Sequence, residues 1–168
     1  VLFRSKCVEL LETGQVDLIV INYPNSYLSN LYSFKQIAEF KDVFIANRSF
    51  AELKDKALSL RDLLNYPILM LDRKSTTSEF LHSLFQKHQL DLVPEIELSS
   101  NDLLIDLAKI GLGIAFIPDY CVPKDSDDLF VVHTDEVLPT RQLVVVHIEH
   151  VPVSKATLEF LNYFQPIE

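Results

Sequence analysis

The chain is poor in cysteine, in basic residues and in long apolar runs. Its 168 residues contain two cysteines, Cys7 and Cys121, too few and too far apart for a disulfide framework, so we expect reduced, intracellular thiols. Lys and Arg number 15 against 24 Asp and Glu, a formal charge of −9, which argues against a nucleic-acid-binding surface because phosphates require clustered cations. Apolar runs such as 18–21 and 143–146 are too short to span a bilayer.

The start of the chain lacks both a signal-peptide pattern and a methionine, since its first residue is Val1. We therefore expect a soluble piece of a longer protein. Hydrophobic residues make up 48% of the sequence, which at this length is enough to bury a core without disulfide or metal cross-links.

The spacing of apolar and turn residues predicts alternating helices and strands. Helices are predicted at 6–13, 59–64, 76–88, 99–110 and from 154 onward, and strands at 2–3, 16–21, 34–46, 68–71, 95–98, 114–117, 129–132 and 142–148. The continuous apolar character of 16–21 is typical of a buried parallel strand. Strands separated by helices imply right-handed crossovers and mostly parallel sheets, so the predicted fold class is α/β.

Helix ends are marked by short polar signals. A hydroxyl residue followed three positions later by an acidic residue predicts a capping box, and the pairs are Ser59 with Asp62, Thr76 with Glu79, and Ser99 with Asp102. Gly14 stands where a left-handed C-terminal cap is expected. The helix after Ser99 is predicted to present an apolar stripe, formed by Leu103, Leu104, Leu107 and Ile110.

Motifs for cofactor binding or catalysis are missing. Gly111 and Gly113 follow a helix and precede a strand, whereas dinucleotide-binding glycines follow a strand and open a helix. We interpret them as a helix cap and a close-packing position. Neither cysteine has a partner at zinc spacing, the histidines miss metal-binding geometry, and no nucleophile motif occurs. We expect no cofactor, no metal and no enzymatic activity.

Three polar segments follow predicted strands: Arg4-Ser5, Asn22-Tyr23 and Ser99-Ser100-Asn101. Ligands of open α/β sheets bind beyond the carboxyl ends of the strands, and a helix N-terminus there favours a carboxylate or similar anion. The alternative is that the third segment only caps its helix. Capping by one of the two serines is expected in either case.

Four blocks of sequence, taken in their order along the chain, indicate a resemblance to a known family. They are LLETGQVDLIV at 10–20, SLRDL with YPIL at 59–69, ELSSN with IGLGIAFIP at 97–118, and PTRQL with the terminal helix from 139 onward. Together they resemble the effector-binding domain of LysR-type transcriptional regulators, and the likeness covers essentially the whole chain. It implies that the domain's first strand and helix, and a winged helix-turn-helix that binds DNA, lie upstream of Val1.

The resemblance implies a fold and a division of the chain. The expected fold is two-lobed and periplasmic-binding-protein-like (type II), with two mixed, mostly parallel sheets joined by crossover strands. Lobe I would comprise residues 1–45 and 138–168, and lobe II residues 46–137.

The resemblance also implies a function, that of a cytoplasmic small-molecule sensor of a bacterial regulator, assembled as a homodimer or tetramer and away from membranes. The effector, for which we expect a small carboxylate, would lie in the cleft between the lobes. The implied contacts are Ser5, Asn22, Ser99, Ser100 and Asn101, with Phe116 and Ile117 as apolar cover. A solute-binding protein of a transporter, which shares this fold, is the alternative.

Overall fold

A computed structural model of the chain describes residues 6–25, 28, 30–124 and 128–164. Its strands are β1 (Ile19–Tyr23), β2 (Tyr32–Phe40), β3 (Asp42–Asn47), β4 (Ala57–Leu58), β5 (Ile68–Leu71), β6 (Ile96–Leu98), β7 (Ile114–Pro118), β8 (Leu129–Thr134) and β9 (Arg141–Ile148). Its α-helices are α1 (Lys6–Glu12), α2 (Leu60–Leu63), α3 (Thr76–Lys87), α4 (Asn101–Lys109) and α5 (Lys155–Tyr163). Two 3₁₀ turns cover Arg48–Leu53 and Asp119–Cys121. The strand predicted at 2–3 lies outside the described residues.

The chain divides into two compact units, which follow the two sheets. The first unit is Val1–Phe40 with Thr140–Glu168, and the second is Lys41–Pro139. Because β3 pairs with β7 and β8, residues 42–45 belong to the sheet of the second unit.

The sheet of the first unit has the strand order β1-β9-β2, and both of its ladders are antiparallel. The strand predicted at 16–21 is Ile19–Tyr23, and the neighbour that it has among the described residues, β9, runs antiparallel to it and not parallel as predicted. Ile19 and Ile21 are buried while Val20 between them is 40% exposed, the alternation of a strand with one face covered. The continuous apolar run concealed this alternation because Val20 is apolar too.

The two helices of the first unit are anchored to this sheet. Val8 and Leu11 of α1 pack with the buried isoleucines of β1, and α1 ends at Gly14, whose φ of +66° confirms the predicted left-handed cap. The ammonium of Lys35 on β2 donates to the carbonyl of Leu161 near the end of α5, at 3.2 Å.

The sheet of the second unit has the order β4-β8-β3-β7-β5-β6 and is mixed. The pairs β5–β6, β5–β7 and β4–β8 are parallel, whereas β3 runs antiparallel to β7 and β8. Consecutive residues of β3 and β7 face opposite sides: Phe44 and Phe116 belong to one apolar cluster, and Ile45 and Ile117 belong to another.

The predicted capping signals are partly confirmed. Ser59 and Asp62 form the expected capping box of α2, with the Ser59 hydroxyl accepting from the Asp62 amide at 3.1 Å. The cap of α3 is Ser75, not Thr76, because Ser75 has the extended backbone and accepts from the Thr77 amide at 3.2 Å. Thr76 is instead the first helical residue.

The buried face of α4 differs from the predicted stripe. Leu104, Ile105 and Ala108 are buried, whereas Leu103 is 53% and Ile110 70% exposed. Leucines occur at both helical phases, so the sequence alone did not decide which of them faces the sheet. Within the described residues, no helix is both long and apolar enough to cross a bilayer.

Candidate functional site

The carboxyl ends of three parallel strands of the second unit meet at one edge of its sheet. Because β6 and β7 both run parallel to β5, the last residues of these strands, Leu71, Leu98 and Pro118, lie along that edge. The amide of Asp72 donates to the carbonyl of Leu98 at 2.8 Å, which holds the loops after β5 and β6 side by side. We call this the carboxyl edge; ligands of open α/β sheets bind at such edges.

Helix α4 begins at the carboxyl edge, directly after β6. Its N-cap is Ser100, which has an extended backbone and whose hydroxyl accepts from the Leu103 amide at 3.4 Å. The predicted capping box of Ser99 with Asp102 is therefore wrong. Ser99 is an exposed residue one position too early, because the first helical residue is Asn101. The amides of a helix's first turn have no partners within the helix, and with the positive end of the helix dipole they lie where α4 begins, directly after β6.

Asn101 carries a hydrogen-bonding group that the described residues leave unused. Its Nδ2 donates to the Sγ of Cys121, 3.6 Å away in the turn after β7. Its Oδ1 is buried and has no hydrogen-bond partner among the described residues. Buried polar atoms nearly always have a hydrogen-bond partner, so we expect this oxygen to accept a hydrogen bond from water or from a ligand.

The pKa of the Cys121 thiol depends on the charged groups around this position. Burial raises the pKa of Cys121, and the carboxylates of Asp102, Asp119 and Asp42 raise it further, against a smaller lowering by the hydrogen bond from Asn101. The thiol is therefore protonated at neutral pH and is a poor nucleophile. The three carboxylates also make this part of the carboxyl edge negative, in opposition to the helix dipole.

A positive group lies on the neighbouring loop of the same edge. The Nε of Arg73, after β5, is 3.5 Å from a carboxylate oxygen of Glu97 on β6, and its side chain is 76% exposed. Sequence reasoning missed Arg73, Ser75 and Cys121. They follow β5 and β7. The segment after β6 was selected because polar residues there follow a predicted strand, and the same criterion applied to β5 and β7 would have found all three.

The residues predicted to contact a ligand belong to both units. Ser99, Ser100 and Asn101 lie at the carboxyl edge, while Asn22 is a half-buried residue of β1 in the first unit, opposite Leu143. Ser5 lies outside the described residues.

Phe116 and Ile117, predicted as apolar cover for a ligand, are core residues of the second unit. Both are 0% exposed. The ring of Phe116 packs against those of Phe44 and Phe80, with centroids 4.7 and 6.3 Å away. β7 is covered on both faces, which accounts for the burial of both side chains, and their contact with a ligand stays a prediction.

Groups for metal chemistry are not assembled in the part of the chain that the structure describes. No cluster of three or more His, Cys, Asp or Glu side chains that could hold a metal ion occurs there.

Comparison with known proteins gives the family. A family model described as the LysR substrate binding domain matches residues 2–166. The chain belongs to this family. The HTH-type transcriptional activator CmpR of Synechocystis sp. is 25% identical over 162 residues, which are 95% of this chain and 53% of the relative. The chain thus spans about half the length of that curated relative.

Solved structures show the fold of this LysR substrate-binding domain. The regulatory domain of CcmR from Synechocystis PCC6803, in complex with 2-PG, matches with a TM-score of 0.83 at 20% identity, over 94% of this chain and 76% of that one. The effector-binding domain of QuiR in complex with shikimate matches with a TM-score of 0.80 at 15% identity, over 93% and 73%. The predicted α/β, type II periplasmic-binding-protein-like fold is confirmed, except that the sheet of the first unit is antiparallel among the described residues and not mixed or mostly parallel.

Proposed function

We propose that the chain is the effector-sensing domain of a cytoplasmic, LysR-type bacterial transcription regulator, and that a small molecule binds at the carboxyl edge of the second unit. Family membership supports sensing, and CcmR and QuiR are related domains in complex with small molecules. The observation that carries the location is the unpaired, buried Oδ1 of Asn101 beside the first turn of α4.

The chemistry of the edge favours a small carboxylate that also carries a hydroxyl or N–H donor. The free amides of α4 and the guanidinium of Arg73 suit an anionic group. The Oδ1 of Asn101 accepts a hydrogen bond and so requires a donor. The nearby carboxylates of Asp102 and Asp119 disfavour a molecule that is anionic throughout and favour one with a neutral, hydroxylated part.

Regulation would follow from differential binding. An effector that binds one conformation of the regulator more tightly shifts the population toward it, by an amount set by the ratio of the two affinities. We propose that DNA is contacted only by a winged helix-turn-helix outside this chain, because the chain carries a formal charge of −9. The role of this chain is then to bind the effector and to transmit the resulting population shift to the DNA-binding part.

We propose further that the domain forms homodimers through the outer face of α4. Leu103 on α4 is 53% exposed, and Ile110 and Leu112, which follow the last residue of the helix, are 70% and 48% exposed. Asp106 and Lys109 lie beside them with their charged atoms 3.7 Å apart. An apolar stripe flanked by both signs of charge is self-complementary, which a two-fold interface requires.

The test of effector binding is thermal unfolding with a panel of small hydroxycarboxylates that includes shikimate. A ligand at a hundredfold excess over its Kd stabilises by about 2.7 kcal/mol, which raises the melting temperature by roughly 5–10 °C for a domain of this size. Ser100→Ala and Asn101→Ala should remove the shift.

Asn65→Ala is the matched control, since Asn65 is an exposed asparagine of the loop before β5, near the strand end opposite the carboxyl edge. It should respond as the unmodified chain does. A panel without any stabilising member, or edge variants that respond as the control does, would contradict the proposal.

A further inference from the structure

Helix α5 is attached to the first unit with little apolar burial. Thr157 is its one buried residue, whereas Leu158, Phe160 and Tyr163 are 49%, 42% and 86% exposed. Among the described residues, no side chain of α5 belongs to any of the three apolar clusters of the chain. Most helices in proteins are stabilised by packing of an apolar face, so α5 depends on other contacts.

The sequence of α5 does little to stabilise the helix by itself. It has nine residues, and helices shorter than about 12 residues are marginal in water when isolated. A helix is favoured by an acidic residue in its first turn and a basic residue in its last turn. α5 has neither, and it begins with a lysine, Lys155. The charges that complement its dipole must therefore come from elsewhere in the unit.

The carboxylate of Asp17 supplies the negative charge at the first turn of α5. The hydroxyl of Thr157 donates to Oδ2 of Asp17 at 2.9 Å, and the hydroxyl oxygens of Thr157 and Ser154 are 2.8 Å apart. Because an ionised carboxylate only accepts, the hydrogen of Thr157 points to Asp17, and the N-cap Ser154 donates to Thr157. This chain of hydrogen bonds ends on a negative charge at the positive end of the helix dipole.

The ammonium of Lys35 supplies the positive charge at the last turn. It donates to the carbonyl of Leu161 at 3.2 Å, and this carbonyl is one of the last four of the helix, which have no partner within it. Asp17 lies just before β1 and Lys35 lies on β2, the two strands on either side of β9. Each end of α5 is thus held by an opposite charge from a different strand of the sheet.

We propose that α5 is a releasable helix, which unfolds and separates from the first unit while the β1-β9-β2 sheet stays paired, and that the charges of Asp17 and Lys35 set how often it does so. The apolar cluster that joins α1 to the sheet contains no residue of α5, so it remains intact when α5 leaves. Dissolved salt screens charges that are not fully buried, so release increases with ionic strength. This device belongs to the first unit and is independent of the effector site proposed on the second.

The first experiment is amide hydrogen exchange of the 168-residue chain, which gives an opening constant for each protected amide. The amides of α5 should open at least about a hundredfold more often than those of residues 144–146 on β9, which are buried. Raising NaCl from about 0.05 to about 0.5 M should increase the opening constant of α5 about twofold and leave that of β9 unchanged. Equal opening constants for α5 and β9, or an opening of α5 that does not respond to salt, would overturn the proposal.

The second experiment removes the two charges together. Asp17→Asn keeps an oxygen that accepts from Thr157, and Lys35→Met keeps a side chain of similar length. In the double variant, the opening constant of α5 should rise about fivefold and its response to salt should disappear, while the opening constant of β9 stays within about twofold. A salt response that persists, or an equal rise for β9, would show that the two charges do not control release of the helix.

The control is the double variant of Lys6→Met and Glu9→Gln. These residues form an exposed pair on α1 of the same unit, with their charged atoms 3.5 Å apart, so the control loses one charge of each sign as well. Its α5 should open as often as in the unmodified chain and respond to salt in the same way. An increase in α5 opening as large as that of the Asp17 and Lys35 variant would refute the assignment of release to those two residues.

Discussion

Asn101 and Cys121 are joined by a hydrogen bond from the amide Nδ2 to the thiol Sγ, 3.6 Å long. The bond connects the first residue of α4 to the turn that follows β7, and so joins two loops of the carboxyl edge. In this orientation of the amide, Oδ1 is the atom without a partner among the described residues. The contact therefore favours the orientation in which this oxygen is available to an effector.

The reactivity of Cys121 should be low at neutral pH. Burial and the carboxylates of Asp102, Asp119 and Asp42 raise the pKa of this thiol, and only the thiolate reacts with iodoacetamide. In a Cys7→Ser variant, we expect the midpoint of the pH–rate profile to lie above that of the same thiol in urea. Asn101→Leu removes the hydrogen bond that lowers the pKa and should move the midpoint higher still.

The sign of the accompanying stability change follows from linkage. Because the pKa of Cys121 is raised in the folded chain, the thiol of the unfolded chain ionises first as the pH rises. Its stabilising contribution is complete below the unfolded pKa and is lost as the pH rises toward the folded value. Cys121→Ser should therefore flatten the decline of unfolding free energy in the alkaline range. For the reaction with iodoacetamide, a midpoint of the folded chain's pH–rate profile at or below the midpoint in urea would contradict the charge environment described for this thiol.

The two serines before α4 should differ in their effect on stability. Ser100→Ala removes the hydroxyl that accepts from the Leu103 amide and should lower the free energy of unfolding by about 1 kcal/mol. Ser99→Ala, at an exposed position outside the helix, should change it by less than about 0.5 kcal/mol. Urea denaturation of the two variants measures both values. A larger loss of unfolding free energy for Ser99→Ala than for Ser100→Ala would instead support the predicted capping box of Ser99 with Asp102.

Substitution of Phe116 should affect stability rather than specificity. The side chain is fully buried between the rings of Phe44 and Phe80, so Phe116→Ala leaves a cavity and should cost about 3–5 kcal/mol. Phe116→Leu, a milder change, should fold and keep its response to an effector. A Leu variant with normal stability and no effector response would mean that this residue contacts the ligand after all.

Features that depend on neighbouring residues were predictable from the sequence. The capping box of Ser59 and the left-handed end of α1 at Gly14 need only a few adjacent positions, and both are confirmed. The order of the four sequence blocks was likewise enough to identify the family.

Features that depend on distant residues were not predictable. The direction of β1 is set by its pairing with β9, more than a hundred positions later, and no local pattern specifies it. The charge around Cys121 includes Asp42, which the antiparallel pairing of β3 with β7 places opposite Pro118. The buried phase of α4 depends on which leucines meet β7 and β3, and the sequence offered leucines at both phases.

Gly113 should be less replaceable than Gly14. A Cβ added there would lie 2.4 Å from the carbonyl oxygen of Pro67 and 3.0 Å from the side chain of Leu69, and a backbone oxygen cannot move aside as a flexible side chain can. We expect Gly113→Ala to cost about 3 kcal/mol. Gly14→Ala meets no atom within 4 Å but keeps a φ of +66°, so it should cost about 1 kcal/mol. Equal costs in urea denaturation would be incompatible with this close approach.

Association through α4 should depend on its exposed apolar stripe. Ile110 is 70% and Leu103 53% exposed, and a lysine at either position would place a charge in the centre of a two-fold interface, where it would lack a partner. In sedimentation velocity, Ile110→Lys and Leu103→Lys should shift the chain from dimer toward monomer. Val137→Lys, at a position that is 85% exposed and not on α4, changes the net charge equally and should leave the distribution unchanged. Because neither α4 side chain supports the core, the melting temperature extrapolated to low protein concentration should be the same for all three variants. An unchanged dimer in both α4 variants would place the contact between copies on another surface.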